Sequence, residues 1–348
     1  MSTRRDSICH ILPPHILREM AQRGDKAQQA LAWDALSRSE QARGQRRMLT
    51  AIASIGATST GVKRRTVYDA KHGTKLPGTL VRGEGGAASK DVMVNEAYDG
   101  AGATYDFYMQ VYGRNSIDGK GMRLDSTVHY GKKFDNAFWN GQQMVYGDGD
   151  GQIFQRFTKV LDVIGHELTH GVTQYEADLE YEDQPGALNE SFSDVFGSLV
   201  KQYKNKQKAA DADWLIGAGL LAPQVHGVAL RSMKAPGTAY DDPVLGKDPQ
   251  PADMKHYVDT TDDNGGVHIN SGIPNRAFYE TAIRIGGFAW EKVGKIWYVT
   301  LCDRLQPNAS FQDAAKQTVD VARQLFGTTG AEQKAVKAAW AAVGIKVK

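Results

Sequence analysis

Residues 163–174 read VIGHELTHGVTQ, and the organisation of the whole chain follows from how that segment is read. Its apolar residues recur with helical spacing. In a helix, His166 and His170 stand four apart on one face, about one turn from each other, ready to grip a single ion. Glu167 follows the first histidine, so its carboxylate can reach a metal-held water without joining the ligands. With 9 His in 348 residues, roughly 0.01 H-E-x-x-H patterns are expected by chance. The competing reading is a helix with two structural histidines, and the next segment weakens it.

That segment is GALNESFSDVFGSLV, residues 186–200. Glu190 and Asp194 are four apart on a second helix. A catalytic zinc takes three protein ligands and keeps one position open, and Glu190 supplies the third. Asp194 is expected to accept the second ring N–H of His166 and fix its tautomer, with Asn189 a candidate for the same service to His170. A third stretch, DDNGGVHINSG at 262–272, puts His268 in a Gly-rich turn opening a helix. From there it can donate to an oxyanion, with Asp263 orienting the ring. On its own, a histidine in a turn reads as merely solvated.

The rest of the composition excludes several classes. Net charge is +2, which argues against nucleic acid or a membrane surface as partner. Residues 1–50 carry 9 Lys/Arg and 5 Asp/Glu, so a basic leader precedes a slightly acidic body. Cys9 and Cys302 are far apart, so a disulfide framework is not expected and both thiols read as free. No stretch approaches 18 apolar residues, and the N-terminus lacks a signal-peptide apolar run. Synthesis in the cytoplasm follows, with any secretion by a route not visible in the sequence.

Along the chain, 26–43 has helical spacing at Ala30, Trp33 and Leu36, and 44–66 reads as a linker. Residues 62–151 read as short β-like pieces, RTVYDA, KDVMVNEAY, STVHYG and QMVYGDGDG. Helical patterns then dominate at 156–176, 187–204, 270–285, 290–304 and 311–325. The expected class is α+β, with a zinc cleft between a β-rich N-terminal half and a helical C-terminal half, behind a short helical propeptide. The expected boundaries are 1–55, 56–155 and 156–348.

Five segments in order, NAFWNGQQMVYGDGDG (136–151), HELTHGVTQY (166–175), GALNESFSDVFG (186–197), LRSM (230–233) and DNGGVHINSG (263–272), resemble the thermolysin family of zinc metallopeptidases. The 19 residues between His170 and Glu190 also suit that family. The resemblance implies that His166, His170 and Glu190 hold Zn2+ and that Glu167 takes a proton from the attacking water. It implies that His268 and Tyr181 stabilise the oxyanion, that Asp263 orients His268, and that Arg231 holds a peptide carbonyl. Asn136 and Ala137 would pair with an extended peptide or protein substrate. Phe154, Phe157, Val163, Ile216 and Leu230 match the family's pocket, an apolar wall that suits a bulky hydrophobic residue after the cut.

Three features depart from the commoner family pattern. GDGDG (147–151) fails as a calcium loop, because the sixth position from Asp148 is Ile153 and the twelfth is Lys159. The family's double calcium site would fall at Asp162, Lys201, Asp213, Leu215 and Ala218, where only two are acidic. Calcium is therefore expected to be absent there, with Lys201 neutralising Asp162 or Asp213. The leader, with ILPPHIL at 11–17, resembles the short propeptide of the protealysin-like branch. Its Cys9 could be an inhibitory fourth zinc ligand in a precursor, or could pack as a small hydrophobe while the Pro13-Pro14 segment alone blocks the groove. A cut is expected between Arg47 and Gly61. The leading expectation is a monomeric zinc endopeptidase made as a proenzyme, whose partners are peptide substrates and its own propeptide. The alternative is a non-catalytic zinc protein that only binds peptides, and Glu167 and His268 argue against it. An exopeptidase would need a terminus-capping group, and none is apparent.

Overall fold

The computed structural model describes residues 9–49 and 61–348, apart from the side chains of Cys9 and of 39–49. The Cys9 thiol and residues 50–60, which hold most of the expected cut region, lie outside the described residues.

The described chain begins with a two-residue strand, β1 (Cys9–His10). Helices α1 (Pro14–Arg23) and α2 (Lys26–Leu49) follow. Pro14 at the first turn of α1 loses nothing, since that N–H has no helical partner. Ile11, Leu12, Ile16 and Leu17 are almost wholly buried, so this leader is packed onto the body. Two expectations change here. Helix α2 runs to Leu49, taking in residues read as linker. Among its described side chains the buried ones are Ala32 and Ala35, while Trp33 is 61% exposed.

Strands β2 (Arg65–Asp69), β3 (Thr79–Gly83), β4 (Leu124–Val128), β5 (Ala137–Trp139) and β6 (Met144–Tyr146) build one mixed sheet with β1, in the order β1-β5-β6-β4-β2-β3. The leader strand is its edge: Cys9 opposes Trp139 and His10 opposes Phe138, antiparallel. One β-like reading is corrected. KDVMVNEAY is not a strand but the start of α3 (Val92–Tyr112), capped by the Asp91 side chain accepting from the Met93 N–H at 2.9 Å. Small residues let this helix lie close to its neighbour; a Cβ at Gly100 would sit 2.3 Å from the Ile164 side chain.

The two helices expected to carry the metal ligands are α4 (Leu161–Tyr175) and α5 (Asp183–Asn205). They cross at glycines: a Cβ on Gly197 would sit 2.5 Å from the Asp162 carbonyl oxygen and 2.9 Å from the His166 nitrogen. Nothing larger than glycine allows that approach. Short pairs β7 (Leu215–Ile216) with β8 (Arg231–Ser232), and β9 (Asp241–Asp242) with β10 (Gly246–Lys247), lead to the helical end. There α6 (Asp263–Asn270), α7 (Gly272–Ile285), α8 (Val293–Asp303), α9 (Phe311–Phe326) and α10 (Ala331–Ala342) pack together. The last of these was not anticipated. No described helix is long and apolar enough to cross a membrane.

Candidate metal centre

His166 and His170 project from α4 towards Glu190 on α5. All three are fully or almost fully buried. The two Nε2 atoms are 2.9 Å apart, and each is 3.5 Å from a Glu190 oxygen. Tetrahedral zinc with ligands at about 2.0–2.1 Å holds its donors about 3.3 Å apart, so the spacing fits. The rings are turned for the purpose by bonds behind them. His166 Nδ1 lies 2.8 Å from Asp194 Oδ1, and His170 Nδ1 lies 2.8 Å from Asn189 Oδ1 and 3.0 Å from the Ser193 hydroxyl. Ser193 was not foreseen, although it sits one turn after Asn189 on the same helix face. Among the described residues, Glu190 Oε2 and Glu167 Oε1 are buried without a hydrogen-bond partner, as oxygens awaiting a cation and a water would be. The donors are two imidazole nitrogens and one carboxylate, a set that suits zinc.

Glu167 is wholly buried, and its Oε2 accepts from the Trp139 N–H at 3.0 Å. Burial, followed by the nearby negative charge of Glu190, pushes its pKa well above the usual carboxylate range. Asp194 behaves oppositely. Burial would raise its pKa, but Arg231 and His166 outweigh that and lower it. Arg231 grips Asp194 through Nε and Nη2, both at 2.8 Å, and Asn275 donates to Asp194 Oδ2 at 2.8 Å. One carboxylate thereby fixes a candidate metal ligand and the arginine expected to hold a peptide.

His268 comes from a tight turn. Four successive residues, Asp263 to Gly266, have φ between +52° and +82°. A Cβ on Gly265 would fall 2.0 Å from Asp183 Oδ1, so glycine is required there. The turn brings Asp263 Oδ1 to 2.7 Å from His268 Nδ1 and leaves Nε2 facing the cleft. Burial lowers the His268 pKa, yet Asp263 and Glu190 raise it further, to about 9. Tyr181 lies 3.2 Å from His268 Nε2 and donates its hydroxyl proton to Glu190 Oε1.

The leader runs through this cleft. His268 Nε2 lies 3.0 Å from the His10 carbonyl oxygen. Arg231 Nη1 donates to the Ile11 carbonyl at 3.1 Å. The Ile11 N–H donates to the Ala137 carbonyl at 3.3 Å, and the Leu12 N–H to Asn136 Oδ1 at 3.1 Å. His268, Arg231, Ala137 and Asn136, four of the residues expected to touch a substrate, thus touch residues 10–12. The expected pocket residues, Phe154, Phe157, Val163, Ile216 and Leu230, are all buried to within 1%. Away from the cleft, the Lys201 ammonium lies 2.7 Å from Asp162, 2.9 Å from Asp213 and 2.7 Å from the Leu215 carbonyl, gathering the groups read as a lost cation site.

Family models described as thermolysin metallopeptidase, catalytic domain and alpha-helical domain, match residues 41–174 and 177–345. An extracellular metalloprotease of Pectobacterium carotovorum subsp. carotovorum is 51% identical, across 98% of this chain and 97% of its own. A thermolysin of Alicyclobacillus acidocaldarius subsp. acidocaldarius is 44% identical over 80% of this chain, which spans half of that relative's length. The solved structure of the precursor of protealysin, a metalloproteinase from Serratia proteamaculans, superposes with a TM-score of 0.89 at 54% identity, covering 97% of this chain and 99% of that one. The fold, the His-His-Glu cluster and these matches lead to one conclusion: the chain belongs to the thermolysin family of zinc metalloendopeptidases, and to its protealysin type.

Proposed function

We propose that this chain is the precursor of an endopeptidase that cuts before bulky hydrophobic residues, and that its own residues 9–12 hold it latent. The observation that carries the reading is the run of backbone bonds from His268, Arg231, Ala137 and Asn136 to His10, Ile11 and Leu12. A substrate would add to the edge of β5 in the same way. The peptide bond presented for attack is then the one matching His10–Ile11, and the residue after the cut takes the place of Ile11. Ile11 is fully buried, and Leu230 precedes Arg231 in the pocket wall, which supports an apolar side chain there. Burying a Leu- or Phe-sized side chain is worth roughly 2–3 kcal/mol, a preference of tens- to hundreds-fold over glycine.

Zinc, when bound by His166, His170 and Glu190, supplies Lewis acidity to the attacking water and the substrate carbonyl. Glu167 accepts the water's proton on the buried Oε1 and returns it to the leaving nitrogen as the C–N bond breaks. His268, held by Asp263, donates through Nε2 to the oxygen that gains charge, and Tyr181 joins it from 3.2 Å away. Arg231, anchored on Asp194, keeps the next carbonyl in register.

Latency comes from the leader filling the positions of the substrate. A Cys9 thiolate on the zinc would add to that block, and a Cys9→Ser precursor with normal latency would leave only the backbone plug. The Lys201 ammonium between Asp162 and Asp213 supports a site that needs no calcium. The name of the Pectobacterium relative supports export of this chain. The test of the chemistry is Glu167→Gln in leader-free protein. It should keep one zinc and lose activity by about a thousandfold, as removal of a general base does. Near-normal turnover in the zinc-loaded variant would take Glu167 out of the mechanism.

A further inference from the structure

Away from the cleft, a second set of donors converges: His72, His129 and Asp148, with ligand atoms all within 4.8 Å of one another. His129 Nδ1 is 2.9 Å from Asp148 Oδ1, and His72 Nδ1 is 3.4 Å from Asp148 Oδ2. Two imidazoles therefore flank one carboxylate. The His129 ring is held from behind, with Nε2 2.7 Å from Asp91 Oδ2. Asp91 is itself fixed, because its other oxygen caps α3. The backbones are locked as well. His72 and His129 are both left-handed, with φ of 60° and 54°, and the His72 N–H donates to the His129 carbonyl at 2.9 Å. Non-glycine residues adopt that region uncommonly, and here two histidines do so side by side.

Two imidazole nitrogens and a carboxylate, with a further carboxylate behind one ring, form a ligand set for late first-row divalent cations. Calcium, which takes six to eight oxygens, is a poor match. We propose that His72, His129 and Asp148 form a second metal site, separate from that of His166, His170 and Glu190, which takes a cation of the Zn2+ class. The site ties together the turn after β2, the end of β4 and the loop after β6. In that loop the Gly147 N–H donates to the Asn136 carbonyl at 2.9 Å, so the ion would brace the strand that pairs with substrate. The competing occupant is a proton. Without metal, Asp148 and Asp91 outweigh burial and raise the pKa of His129 to about 9, so the ion must displace the Nδ1 proton.

The test is calorimetric titration of the full-length, singly zinc-loaded protein with Zn2+ at mildly alkaline pH, with bound metal counted by elemental analysis. A second equivalent should bind. His72 has a half-exposed side chain, so His72→Ala should fold normally, as a thermal melt will verify, and weaken the second equivalent by at least about tenfold. His256→Ala, at an exposed histidine paired with Asp253, should leave it unchanged. A stoichiometry of one, or equal second affinities in wild type and His72→Ala, would overturn the proposal.

Discussion

At the scale of single residues, Asp194 is the side chain on which the cleft depends. It accepts from His166, Arg231 and Asn275 while fully buried, so one carboxylate orients both a candidate metal ligand and the arginine proposed to hold substrate. Asp194→Asn should weaken zinc binding by about 10–100-fold, measured by competition with a chromogenic chelator, because the His166 tautomer is no longer fixed by a charge. It should also raise KM, since Arg231 loses its anchor. Unchanged zinc affinity in a folded variant would show that His166 needs no such partner. The pairing of His166 with Asp194 was legible in the sequence, because both lie on helices whose spacing sets their faces. The bond from Arg231 to the same carboxylate was not, because 37 residues and a change of element separate them.

At the scale of elements, what could be read depended on periodicity. Helices α4 and α5 follow from 3.6-residue spacing over long segments. Helix α3 was misread because V-M-V opens it with a short apolar run containing two β-branched residues; the signal that could have corrected this was Asp91 as N-cap. Strand β1 was illegible, since two residues carry no period and their partner is about 130 residues away. Helix α1, which follows that strand, carries the group from which a pH response is predicted. His15 on α1 bonds Tyr240 through Nε2 at 3.0 Å, while its Nδ1 is buried with no partner among the described residues. Its pKa falls from 6.5 to about 4, chiefly by burial; Asp263 opposes the shift, and His268, Arg231 and Arg18 add to it. Docking thus favours neutral His15. Its contribution is fully present above pH 6.5 and is lost as pH falls from 6.5 towards 4, because the undocked leader takes up the proton first. The full-length chain should therefore lose latency faster at pH 5 than at pH 7.5, followed by gel as the precursor disappears. His15→Gln should flatten the difference. A wild-type rate equal at both pH values would contradict this reading.

At the scale of the whole molecule, the leader closes the sheet edge at β5, and the same edge is the wall of the cleft above α4 and α5. One segment therefore pairs with the sheet edge and lies in the cleft, as the proposed latency requires. Sequence reading reached the two halves and the cleft between them, because five separated motifs carry them. It did not reach the line that the leader takes through that cleft, which only long-range pairing reveals. The most direct measurement is cleavage of a quenched peptide containing one Gly-Leu bond, by the full-length chain and by the chain freed of its leader, with and without a zinc chelator. The account predicts no cleavage by the intact chain, cleavage at Gly-Leu by the freed chain, loss of that activity with chelator and its return with Zn2+. A freed, folded, zinc-loaded chain that leaves the peptide whole, or that cuts it equally well in chelator, would contradict it.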